Sequence, residues 1–340
     1  MNILLTSVGR RNYLVNYFKE ALKGQGEIHA SNSVWSPALE VADKAVITPL
    51  IYDDSYIQFI LKYCLTNNIS VILSLFDIDL PVLSKSKDVF KNNGIELLVS
   101  DFEVTQICND KWRTYKFLVN NEILTPKTFL SKQNCLESIA CGQTNFPLVI
   151  KPRWGMGSIG IYVADNKSEL EVLFKKTKKE ILNSYLKYES TATINESIII
   201  QEMVNGVEYG LDIINNLNKN YITTLVKRKT AMRAGETDSA ITENHPILRK
   251  TGEKISKHLG HILNLDVDCF IDKVNKPYVL EMNCRFGGHY PFSHLAGANL
   301  PLAIVKWISG KVVEKSLFDI EYGIEGYKEI VIKRKTLGGE

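Results

Sequence analysis

Three segments of this 340-residue chain carry residues whose types and spacing could do chemistry. The first is residues 147–161, PLVIKPRWGMGSIGI. An apolar run ends at Lys151, and Gly155, Gly157 and Gly160 follow. Glycine lacks a Cβ, so backbone N–H groups there can close on phosphate oxygens. The lysine adds a point charge that can bridge phosphates. The Walker arrangement GxxxxGK[ST] is absent, because here the lysine precedes the glycines. A glycine-rich hairpin with an incidental lysine would carry the same letters. The second segment is residues 278–288, YVLEMNCRFGG. Glu281 and Asn283 stand two apart on a predicted strand and share one face. Two hard oxygen donors on a rigid face suit Mg²⁺, which takes its other ligands from water and substrate phosphates. Arg285 continues that face, and its planar fork could hold a phosphoryl group at two points. Asp268, on the preceding predicted strand, is the candidate second carboxylate, with Asp272 its competitor. The third segment is residues 198–212, IIIQEMVNGVEYGLD. It delivers Glu202, Met203 and Val204, and a turn brings back Glu208. Apolar side chains could stack an adenine while a carboxylate accepts from ribose hydroxyls. An ordinary hairpin with exposed glutamates fits the same spacing.

The elements around these segments divide the chain. Residues 1–110 alternate short apolar runs with helical patterns: strands at 2–6, 27–30, 71–75 and 96–99, helices at 11–22, 55–67 and 81–92. That alternation predicts a parallel sheet covered by helices on both faces. Ligands of such sheets sit beyond the carboxyl ends of the strands, which singles out residues 7–11 and 76–79. A dinucleotide site fails there, since TSVGRRN has one glycine where GxGxxG needs three. Arg10 and Arg11 could still face an anionic substrate.

From Lys111 the pattern changes. A helix is predicted over 110–120, a strand over 146–151 and a charged helix over 167–187. Strands follow at 197–201, 207–215 and 221–229, the first two around a Val-Asn-Gly turn. A helix at 246–263, a strand pair at 266–271 and 277–281, a helix at 301–309 and a last strand at 329–334 complete the series. Strands adjacent in sequence point to antiparallel sheet. The fold class is thus α/β followed by α+β.

Composition narrows the functional classes. Lysine and arginine number 41 against 38 acidic residues, and 45% of the chain is hydrophobic. Near-balanced charge gives no electrostatic reason to expect nucleic acid as a partner. No apolar stretch is long enough for a membrane span, and the first residues do not read as a signal peptide. The six cysteines form no CxxC pair and no zinc spacing. Reduced thiols in a cytoplasmic protein are the expectation.

The three segments, with the lysine of NDKWRTYKFL (Lys111), resemble the ATP-grasp superfamily in kind and order. The nearer likeness is to carbamoyl-phosphate-synthase-like carboxylate–amine ligases. It covers about 111–301, and the first third fits the family's preceding domain. The resemblance implies a pre-ATP-grasp α/β domain (1–110), a lid region with the glycine-rich loop (111–197) and a C-terminal subdomain with the metal and substrate site (198–340). It implies ATP and Mg²⁺, with Mn²⁺ an alternative. Lys111 and Lys151 would contact phosphates, under a loop containing Gly155, Gly157 and Ser158. Glu202 and Val204 would bind adenine, and Glu208 ribose. Asp268, Glu281 and Asn283 would bind the metal, and Arg285 would stabilise the transferred phosphoryl group. Cys284 replaces the proline of the family's E-x-N-P-R and reads as a packing residue. The chain has one such module, whereas full carbamoyl-phosphate synthases use two.

The implied reaction joins a small carboxylic acid to an amine through an acyl-phosphate. The alternatives are a carboxylase or kinase using bicarbonate or carbamate, and a regulatory module that binds MgATP without turnover. Two segments could line the substrate pocket. Residues 227–239, KRKTAMRAGETDS, read as a mobile loop whose Lys227, Arg228 and Arg233 could bind a carboxylate, with Lys229 solvated. Residues 287–299 carry His289 and His294. Arg10 and Asp77 could reach the pocket from the first domain, and apolar surface there could support a homodimer.

Overall fold

The computed structural model describes residues 1–332, apart from Met156 and the side chain of Ala192. The first sheet contains β1 (Asn2–Thr6), β2 (Ile28–Asn32), β3 (Lys44–Ile47), β4 (Ile69–Ser74) and β5 (Glu96–Leu97). Their order is β3-β2-β1-β4-β5, and every pairing is parallel. The predicted helix at 81–92 is two short helices, Asp79–Lys85 and Lys87–Lys91, broken at Ser86. Asp79 enters the first of them fully buried, and its carboxylate accepts from Thr6, Ser7, Tyr56 and Ser74. Those four hydroxyls fasten the carboxyl ends of β1 and β4 together, which sets the floor from which residues 7–11 and 75–79 project.

The second sheet contains β6 (Thr128–Phe129), β7 (Leu148–Pro152), β8 (Tyr162–Ala164) and β9 (Ile198–Glu202), in the order β6-β9-β7-β8. It has its own core, in which Leu148, Ile150, Leu170, Ile181 and Ile200 pack together. The charged helix covering it is Lys167–Leu182, capped by the Asn166 side chain, with a separate turn at Lys187–Ser190.

The third sheet contains β10 (Gly206–Asn215), β11 (Tyr221–Arg233), β12 (Glu236–Thr242), β13 (Leu263–Asp272), β14 (Pro277–Asn283) and β15 (Glu325–Tyr327). The order is β14-β13-β10-β11-β12-β15, antiparallel throughout. Its core is continuous with the first domain: Ile214, Leu225, Phe286 and Tyr290 pack in one cluster with Leu5, Val8 and Phe18. The middle sheet is therefore the unit with a separate core, lying over a base made of the other two.

Several sequence expectations change here. β9 and β10 do not form a hairpin; β9 pairs with β7 while β10 pairs with β13. The Val-Asn-Gly turn joins two sheets, and β9, expected within 198–340, shares a sheet with β7. Residues 227–239 are not a loop but the β11–β12 hairpin, turning at Ala234 and Gly235. The last strand is Glu325–Tyr327, not 329–334; residues 329–332 are not strand, and 333–334 lie outside the described residues. It pairs with β12, and at Gly326 a Cβ would come within 2.8 Å of Leu295.

Candidate active site

A cavity of about 480 Å³ lies between β7–β9 above and β13–β14 below. Its floor is a matter of register. Antiparallel pairing sets Asp268 opposite Glu281 and Asp266 opposite Asn283. Asp268 and Glu281 keep 32% and 24% of their side-chain surface accessible, open to the cavity they line. Asp272 lies at the end of β13, where its carboxylate accepts the N–H groups of Val274 and Lys276. It is a turn residue away from the cavity.

Lysines balance these carboxylates. Lys111 is the first residue of helix Lys111–Asn120, which the Asp110 carboxylate caps through the N–H groups of Trp112 and Arg113. From there Nζ donates to the Gly155 carbonyl at 2.6 Å and stands 3.4 Å from Glu281. Lys151, on β7, donates to Gln201 Oε1 at 2.8 Å. Burial alone would raise the Glu281 carboxyl, but Lys111, Lys151 and Arg285 outweigh it and hold it below the ordinary carboxylate range. Lys229 corrects a sequence expectation. It is 4% exposed rather than solvated, and it bridges Glu208 and Asp268 at 2.7 Å each. Burial would lower its ammonium; the two carboxylates more than reverse that and keep it charged.

The roof is the glycine-rich loop. Gly155, Gly157 and Ser158 line the cavity, as do Glu202 at the end of β9, Val204 on the connection and Glu208 in β10. The loop reaches down to the β11–β12 turn. A Cβ on Gly235 would lie 2.6 Å from Ser158 Oγ and 2.9 Å from the Gly157 carbonyl carbon, so only glycine fits between hairpin and roof.

Arg285 anchors the inner end. It is 7% exposed, with Nε and Nη2 on Asp77 at 2.9 and 2.8 Å and Nη1 on Asp266 at 2.5 Å. Asp77 thus acts through Arg285 and is absent from the cavity lining. His289 Nε2 lies 2.5 Å from the other Asp266 oxygen, and Nδ1 lies 3.5 Å from Asp212. Asp266 went unnoticed in the sequence. The signal was its spacing two residues before Asp268, on the same strand face.

Other expected residues are placed elsewhere. Arg233 is exposed and paired with Asp238 at 2.7 Å, outside the cavity. Arg10 is exposed and absent from the lining, whereas its neighbour Arg11 lines it. Lys227 is fully buried in a network with Asp212 and Ser293, and Arg228 pairs with Glu243. Cys284 is buried as a packing residue.

Asp268, Glu281 and Asn283 offer three oxygen donors from neighbouring strands, beside a lysine-lined cavity. That donor set fits a hard divalent cation such as Mg²⁺ or Mn²⁺.

The family model described as "ATP-grasp domain" matches residues 108–289, more than half of the chain. The one described as "PylC-like, N-terminal domain" matches residues 3–98. The chain is 23% identical over 295 residues to the carbamoyl-phosphate synthase of Methanobrevibacter smithii, covering 84% of this chain and 75% of that one. It is 22% identical over 317 residues to the carbamoyl phosphate synthase large chain of Pseudothermotoga lettingae, covering 90% of this chain. It spans 27% of that large chain's length. Among solved structures, the biotin carboxylase domain of the 2-oxoglutarate carboxylase of Hydrogenobacter thermophilus, in complex with MgADP and bicarbonate, superposes with a TM-score of 0.75. Identity there is 16%, over 95% of this chain and 73% of that chain, so the likeness is one of fold. Among the described residues, no helix is long and apolar enough to cross a membrane.

Proposed function

We propose that this chain, which belongs to the ATP-grasp family, is an ATP-dependent ligase that joins a small carboxylic acid to an amine. The observation that carries the reading is the cavity floor. Asp268 and Glu281 face each other across β13–β14 under Lys111 and Lys151, with Arg285 at one end. Acid and triphosphate repel each other, and this floor gathers the cations and metal donors that offset the repulsion.

In this reading Glu202 and the Val204 backbone hold adenine, and Glu208 holds ribose. Lys111, Lys151 and the loop at Gly155, Gly157 and Ser158 hold the phosphates. Asp268, Glu281 and Asn283 hold Mg²⁺, which when bound supplies positive charge to the oxygens of the phosphoryl group in transfer. Arg285 orients the acid and stabilises charge on the group being transferred. A carboxylate oxygen bonds to the γ-phosphorus, and the bond to the β-γ bridging oxygen breaks, releasing ADP. The amine then bonds to the acyl carbon and phosphate leaves, with one proton lost from nitrogen. The roof over the cavity keeps water from the acyl-phosphate.

Hydroxylamine tests the intermediate. With MgATP and a productive acid, hydroxylamine should replace the amine and yield that acid's hydroxamate. ADP release driven by bicarbonate alone, with no hydroxamate from any acid, would favour a carboxylase and reject the ligase.

Lys151 gives a pH prediction. Burial lowers its ammonium to about 8, against the raising influence of Glu281. Its charge is present below that pH and lost above it. MgATP affinity should therefore fall about fivefold between pH 8 and pH 9, as expected for one linked proton. Calorimetric titration checks this, with Lys151→Ala as control. That variant should bind more weakly and lose this pH dependence.

A further inference from the structure

The cations around the cavity are not equivalent. Arg285 is neutralised by Asp77 and Asp266, Lys229 by Glu208 and Asp268, and Lys111 faces Glu281. Lys151 stands under the glycine loop, where phosphates are expected. Arg11 differs from all of these. It lines the cavity from the loop after β1, on the first domain. One Nη donates to the Leu75 carbonyl, which fixes the guanidinium at the carboxyl end of β4. Among the described residues, Arg11 enters no ion pair. Guanidinium carries five donors in a planar fork, and the Leu75 carbonyl and the Tyr13 phenol oxygen leave others for a ligand.

An opposite charge lines the same cavity. Glu236 follows the β11–β12 turn and lines the cavity, with half its side chain accessible. Its protein partner is Lys328, at 3.5 Å. Arg11, Glu236 and Arg285 all line this one cavity. The buried Tyr13 phenol oxygen accepts a hydrogen bond from Arg11. One cavity thus carries Arg11 with no carboxylate partner among the described residues, the half-open Glu236 and Arg285.

We infer that Arg11 binds a carboxylate that the reaction leaves intact, and that the amine substrate is an amino acid with its carboxylate on Arg11 and its amino group toward Glu236. This rests on the ligase reading above. The activated carboxylate must lie by Arg285 and the γ-phosphate. A carboxylate on Arg11, in the other domain, is a separate group. A zwitterion gives Arg11 the carboxylate it lacks, and its amino group adds a second cation to the 3.5 Å Lys328 contact of Glu236.

The test uses the full chain with Mg²⁺ and a non-hydrolysable ATP analogue. The twenty proteinogenic L-amino acids are titrated, each beside its α-carboxamide. The wild type should bind at least one amino acid roughly 10- to 100-fold more tightly than its carboxamide. Arg11→Gln should abolish that preference, and Arg11→Lys should keep part of it, because the charge remains but the fork is lost. Unchanged analogue affinity shows that a variant is folded. If Arg11→Gln does not fold, Arg11→Lys carries the test: a loss of about tenfold in amino-acid affinity supports the assignment, and no loss overturns it. Persistent preference in Arg11→Gln overturns it. So does a wild type that binds the analogue but no amino acid. A wild type that fails to bind the analogue rejects the ligase reading instead.

Discussion

Replacing Arg285 by alanine should abolish turnover and also weaken the fold, by about 3–5 kcal/mol. The stability loss follows from what the side chain neutralises. Asp77 and Asp266 are buried, and both lean on the one guanidinium. Removing it takes the cation from two buried carboxylates, one from each of two domains, and leaves Asp266 with His289 and Asn283. The catalytic loss follows from its place at the inner end of the cavity, where phosphoryl charge would develop. We expect at least about 10³-fold in turnover, at the upper end of what a single preorganised group contributes. Arg285→Lys separates the two effects. The ammonium should recover part of the stability, but it cannot span Asp77, Asp266 and a phosphoryl group at once, so turnover should stay low. Urea denaturation reads the first effect and ADP release the second. An active Arg285→Lys enzyme would show that the guanidinium fork is unnecessary.

Glu281→Gln should give the second large effect, of a different kind. The amide matches the carboxylate in size, so the β13–β14 floor should survive and thermal melting should stay close to wild type. The charge is what changes. Glu281 offsets Lys111 and Lys151 and, in our reading, is an anionic metal ligand. Turnover should drop about 10²–10³-fold. Binding of Mn²⁺ in the presence of a non-hydrolysable ATP analogue should weaken with it. Near-normal turnover in a folded variant would reject the metal assignment.

Parts of this site were legible in the sequence because they depend on local rules. Two-residue spacing puts Glu281 and Asn283 on one face whatever the strand pairs with. A short turn between two apolar strands nearly fixes their pairing, which is how Asp268 came to be matched with Glu281. The helix predicted over 110–120 is the one that presents Lys111, and the structure caps it with Asp110.

What was not legible depends on partners distant in sequence. Two strands joined by a short turn look alike whether they pair or diverge into separate sheets, so β9 and β10 read as a hairpin. Lys229 read as solvated because its two partners lie 21 and 39 residues away, on other strands. The β11–β12 hairpin read as a loop because the polar residues that face the cavity resemble those that face water. Arg10 and Arg11 differ by one position, and the backbone turn that separates them, with Gly9 at φ +53°, leaves no trace in side-chain types. Asp266 was hidden by Asp268, the more conspicuous member of the pair.

The central claim is activation of a carboxylate by phosphoryl transfer, and the nucleotide product tests it most directly. We would incubate the protein with MgATP and pooled carboxylic acids and amines, and separate ADP from AMP. The account predicts ADP and phosphate, released only when a productive acid is present and lost in Glu281→Gln. AMP and pyrophosphate would mean that the acid is adenylated, and would contradict the mechanism.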